Sequence, residues 1–142
     1  LLIFLFFISS CWALDKSQLE ANCAGVNRQL PDKNFSKEIV SALTKQVPEK
    51  EKQLDQPFVI KKIDQYMGKD NWHVVWATPE KNERGIFVLK GTPQNFQYVL
   101  VWGGVATDDE EQEIFEWFKI NLPEAPISLM KCVAYTITHG ND

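Results

Sequence analysis

The sequence is short of the side chains that carry most enzyme chemistry. It has three cysteines and two histidines in 142 residues. Zinc sites gather several such ligands at close spacing, and these are scattered, so no metal is expected. No G-x-S-x-G, H-E-x-x-H or C-x-x-C motif occurs, nor a phosphate-cradling glycine loop. A cofactor is therefore not expected, and neither is a catalytic centre. Basic residues form no long run, and the net charge is −4. That argues against nucleic-acid binding through a phosphate-facing patch.

What is present is apolar and aromatic. Hydrophobic residues make up 44% of the chain, with nine Phe and five Trp, ample for one compact domain. The first stretch, "LLIFLFFISSCWA", is set apart. Leu1 to Ile8 is uninterruptedly apolar, and Cys11 and Ala13 suit the −3 and −1 positions of a signal-peptidase site. Without an initiator Met or basic n-region, the start reads as truncated. Residues 1–13 are thus expected to be a signal peptide and the mature protein to be secreted, with no membrane attachment after cleavage. The rivals are an N-terminal anchor and a lipidated Cys11 in "ISSC".

Cleavage after Ala13 leaves Cys23 and Cys132. An even pair in an oxidising compartment reads as one disulfide, the alternative being two buried free thiols. "NFS" at 34–36 is an N-glycosylation sequon, which a secretory route makes plausible at Asn34.

Residues 14–35 read as a polar N-terminal arm or short helix, with "LPDKN" as a loop. "FSKEIVSALTKQV" has Phe35, Ile39, Val40, Leu43 and Val47 at helical spacing, with Ser36 as cap and Pro48 as stop. "DQPFVIKKIDQYMG" reads as a second helix, capped by Asp55 and ended by Gly68. Three strands follow, "WHVVWA", "IFVLK" and "FQYVLVW", joined by the polar loops "TPEKNERG" and "GTPQN". Short connections predict antiparallel pairing. "DDEEQEIFEWFKIN" predicts a third helix, acidic at its start where the helix dipole favours it. "ISLMKCVAYTIT" predicts a last strand.

The order of two helices, then "WH", then strands resembles the cytoplasmic dynein light chain family over residues 36–107. The matching features are Ile60–Lys62 ahead of Trp72 and His73, then Phe96, Tyr98, Gly103, Val105 and Ala106. The resemblance implies an α+β fold, two helices packed on an antiparallel β-sheet, often as a homodimer. Residues 108–142 are then an added C-terminal helix and strand. It also implies a non-catalytic protein-binding module that takes an extended peptide by β-augmentation. By carry-over the groove strand is Gly85, Ile86, Phe87, Val88, Leu89 and Lys90, with Phe96, Tyr98 and Leu100 as its floor. Gln53 and Leu54 stand where the family has a Glu-Lys pair, and Leu89 and Lys90 where it has Thr and His.

His73 is the obvious candidate base, but no nucleophile or carboxylate stands at a telling distance from it, so a packed or interface role is expected. His139 belongs to a polar tail. The tryptophans read as core, with Trp76 or Trp102 the candidates for an exposed ring. Asp108–Glu113 reads as a helix start and not as a cation site. The expected partner is a protein or peptide. The alternative is a secreted effector or protease-inhibitor-like protein of α+β fold.

Overall fold

The computed structural model describes residues 11–140. The apolar run Leu1–Ile8 of the expected signal peptide lies outside them. The fold is α+β, with four helices and a four-stranded antiparallel sheet. The helices are α1 (Cys11–Asn22), α2 (Lys33–Lys50), α3 (Glu111–Asn121) and α4 (Ile127–His139). The strands are β1 (Ile60–Lys69), β2 (Trp72–Pro79), β3 (Gly85–Lys90) and β4 (Gln97–Trp102), a meander in the order β1-β2-β3-β4.

The central strands are apolar on both faces. Val74, Trp76, Ile86 and Val88 pack with α3 and α4, whereas Val75, Ala77, Phe87 and Leu89 pack with α2. Full burial of such a side chain stabilises the fold by about 1.5–3 kcal/mol. A sheet built this way needs cover on both faces. Helix α2 supplies one layer through Ile39, Leu43 and Val47. Helices α3 and α4 supply the other through Ile114, Phe118, Leu129, Met130 and Val133, with Leu19 of α1 against the same cluster.

The segment expected as a second helix is β1. Its apolar residues Ile60, Ile63 and Tyr66 all face the α2 layer at a spacing of three. Two register shifts, between Ile60 and Lys62 and between Ile63 and Gln65, each insert an extra residue. Bulges thus turn a strand's period of two into a spacing that imitates a helix. Asp55 is accordingly no helix cap, and Gly68 sits inside the strand, with Tyr66 stacked over it. The turn into β2 is a two-residue hairpin. Asp70 and Asn71 both have positive φ, 51° and 62°, as the turn that matches strand twist requires.

The segment expected as a last strand is α4. Cys132, Val133, Ala134, Tyr135, Thr136 and Thr138 are all buried, so the helix is wrapped nearly all round and shows no polar stripe. Its threonines hide their hydroxyls on the preceding turn: Thr136 Oγ1 donates to the Cys132 carbonyl at 2.8 Å and Thr138 Oγ1 to that of Ala134 at 2.9 Å. At α2 the cap is Asp32, whose carboxylate accepts from the Phe35 amide at 2.9 Å, in place of Ser36. Pro48 lies inside the last turn instead of ending the helix.

The disulfide is formed. Cys23, in the turn after α1, is bonded to Cys132 of α4 across 109 residues of sequence. Both ends are buried, and Met67 Sδ of β1 lies 3.4 Å from Cys132 Sγ. Replacing both cysteines by alanine should lower unfolding stability by about 3–5 kcal/mol. Urea denaturation of the oxidised protein and the double variant measures this.

Candidate functional site

Two places concentrate polar groups or cleft surface. The first is the buried pair Tyr66–His73. His73 enters β2 on the α2 face, 6% exposed, ringed by Phe35, Tyr66 and Phe96 at centroid distances of 5.5, 5.9 and 5.0 Å. Its Nε2 lies 2.8 Å from the Gly91 carbonyl, which can only accept, so Nε2 carries the proton. Nδ1 then accepts from the Tyr66 hydroxyl at 2.7 Å. Both ring nitrogens are committed within the fold. Burial pushes the imidazole below its ordinary value, against a smaller opposing effect of the Gly91 bond, and pushes the Tyr66 phenol up to about 12.

This geometry ties three turns together: the Phe35 end of α2, the hairpin at Asp70–Asn71 and the turn at Gly91. The Asn71 carbonyl accepts from the Gly91 amide at 2.8 Å. Gly91 has φ +106°, and a side chain there would meet the Asn95 carbonyl at 2.6 Å. Beside Tyr66 lies an open cleft of about 450 Å³ between Asn27, Leu30 and Phe35.

The second place is the far end of the sheet. Gln65, Trp76, Ile86 and Trp102 stand in one cross-strand row, each paired with the next. All four line a cleft of about 310 Å³, with Thr136, Ile137 and Thr138 of α4 along its wall. Glu83, Arg84 and Val105 line it too, and Val105 is 97% exposed. Trp76 is buried, so Trp102 is the more exposed indole of the two. A neighbouring cleft of about 590 Å³ shares Gln65, Thr136 and Thr138 and continues towards Lys16, Arg28 and His139. His139 closes the last turn of α4, its Nε2 3.1 Å from the Glu111 carboxylate.

The residues expected to form a peptide groove are not all brought together. Gly85, Ile86, Phe87, Val88, Leu89 and Lys90 form β3, an inner strand bonded to β2 on one side and β4 on the other. Its backbone is already used, so an added strand has no edge there. Phe96 and Tyr98 face α2, whereas Leu100 faces α4. The register shift at Val99 separates them.

Among the described residues the outer strands of the sheet are β1 and β4. Gly68 of β1 exchanges two backbone bonds with Asn27, at 2.8 and 2.9 Å, and Lys61, Lys62 and Asp64 put charge along the rest. On β4 the Gln46 amide of α2 imitates a neighbouring strand. It donates to the Phe96 carbonyl and accepts from the Tyr98 amide, both at 2.8 Å. Lys50 Nζ donates to the Val99 carbonyl, and the Tyr98 hydroxyl donates to Glu51 at 2.8 Å. Burial and Glu51 together raise the Tyr98 phenol. These side chains meet the first half of β4 and leave Leu100–Trp102 beyond their reach.

Asp108–Glu113 begins with a 3-10 turn, Asp108–Glu110, and runs into α3, with Thr107 and Glu110 forming a capping box. Among the described residues no group of three metal-ligating side chains converges, and no helix is long and apolar enough to cross a membrane. No family model, curated protein or solved structure matches this chain.

Two outcomes test the Tyr66–His73 account. Because the folded state holds His73 below its ordinary value, its contribution to stability is complete above that value and is lost as pH falls below it. The urea midpoint should therefore drop between pH 7 and pH 5, and His73→Gln should flatten that drop. Gly68→Ala puts a methyl 2.1 Å from Tyr66 Oη. It should displace the phenol and cost about 1–3 kcal/mol, with loss of the Tyr66–His73 bond visible in the imidazole NMR shifts.

Proposed function

We propose that this protein is an extracellular, non-catalytic binding module that takes an extended peptide as a fifth strand on the outer edge of β4. One observation carries the reading: the half of β4 that no described strand pairs on its outer side, Leu100–Trp102, leads into the cleft that Trp102 lines. Backbone bonds along an edge give affinity, and a pocket beside it selects a side chain. The cleft floor of Trp76, Ile86 and Trp102 suits an apolar or aromatic peptide side chain, and Gly103, Gly104 and Val105 extend the exposed surface past the strand.

The disulfide supports the extracellular part, since such bonds persist in oxidising compartments. The non-catalytic part rests on His73, the best candidate base, having both nitrogens engaged inside the core. Placing the peptide on β4 moves the site from the inner strand Gly85–Lys90, which the family resemblance indicates, to the nearest strand with an unused edge. A second copy of the chain is the competing occupant, because an open edge pairs equally with its own kind.

Selection of peptides from a random displayed library, followed by titration on tryptophan fluorescence, tests this. The expected ligands are extended and carry an apolar or aromatic residue. Trp102→Ala should weaken them by about tenfold or more, within the range of an interface hot spot. Selected peptides whose affinity is unchanged in Trp102→Ala would contradict the site. Concentration-dependent dimerisation that blocks the selected peptides would assign the edge to a second copy.

A further inference from the structure

Asn34 is the second residue of α2, exposed, and its side chain makes no hydrogen bond to the described residues. Its neighbour Phe35 turns the other way, onto His73 and Phe96. Asp32 caps the helix through the Phe35 amide, so the first turn holds its shape without help from Asn34. The triplet Asn34-Phe35-Ser36 is an acceptor sequon, and the Cys23–Cys132 bond fits the compartment where such sequons are used.

We infer that Asn34 carries an N-linked glycan, and that this glycan covers the cleft beside Phe35. The transfer needs a lipid-pyrophosphate-linked oligosaccharide as co-reactant. Asn34 Nδ2 attacks the anomeric carbon; the bond from that carbon to the phosphate oxygen breaks and a C–N bond forms. The lipid pyrophosphate leaves with the electron pair, and one amide proton passes to solvent. Nothing is oxidised or reduced.

The position decides what the sugar does. Asn34 lines a cleft of about 490 Å³ with Asp32, Lys37, Pro93 and Gln94. The first sugars therefore lie over the start of α2 and the Pro93 turn. Trp102 stands at the other end of β4, six residues beyond Phe96, or about 20 Å at the rise of an extended strand. The glycan closes one end of the molecule to macromolecular partners and leaves the Trp102 end open. It goes beyond the peptide reading and does not depend on it.

The test expresses the full chain behind a heterologous signal sequence in a eukaryotic secretory cell. The medium supplies the protein for peptide mass mapping. The expected result is a hexosamine-linked oligosaccharide on the peptide holding Asn34, converted to aspartate by an amidase that releases N-glycans. Ser36→Thr should keep it, and Asn34→Gln and Ser36→Ala should each lose it. Secreted, disulfide-bonded protein with unmodified Asn34 would overturn the assignment. For the covering role, acylation of Lys37 by an amine reagent should be several-fold slower in the glycosylated protein than in Asn34→Gln. Equal rates would overturn that part. Peptide binding at Trp102 is scored separately in the same samples, so failure of either idea leaves a distinct signature.

Discussion

The structure depends on a sheet whose middle strands are apolar on both faces. Val74 and Val75, or Phe87 and Val88, point in opposite directions and are each buried. Neither face can meet water, so helices must cover both. Helix α2 covers one. The second cover consists of α3 and α4, and the Cys23–Cys132 bond pins the turn after α1 to α4 on that side. The disulfide closes a 109-residue separation and so restricts the unfolded chain as well as joining two buried segments.

The same constraint sets where partners can approach. With both faces roofed, the strand edges and the two ends of the sheet are what the described residues leave accessible. One end is filled by Phe35, Tyr66, His73 and Phe96, a packed group whose polar atoms are satisfied among themselves and with Gly91. The other end is open along the row from Gln65 to Trp102. On the edges, charged side chains, bulges and the Gln46 amide limit unwanted strand pairing. Leu100–Trp102 is the part of β4 that those side chains leave uncovered.

Much of this was legible in the residues. The runs of β-formers in "WHVVWA" and "IFVLK", the turn residues around them, the acidic start of α3 and the pairing of Cys23 with Cys132 all led to the observed elements. The misses have physical causes. In β1, two bulges space Ile60, Ile63 and Tyr66 three apart, which reads as helix. In α4, burial on nearly every side erases the polar stripe by which a helix is known, and Val133 with Thr136 and Thr138 adds a strand-like composition. The site was harder. A one-residue bulge at Val99 sends Leu100 to the face opposite Tyr98, and no local signal marks which strand ends at an edge. The row Gln65–Trp76–Ile86–Trp102 exists only once four strands are in register.

The central claim is that β3 is an inner strand, closed on both sides, and that β4 carries the open edge. Residue-resolved hydrogen exchange of the free protein reads this directly. The account predicts the slowest exchange at Val74–Trp76 and Phe87–Leu89, and faster exchange on the outward-facing amides of Leu100–Trp102. Exchange at Phe87–Leu89 as fast as at Leu100–Trp102 would contradict it, because β3 would then present a free edge of its own.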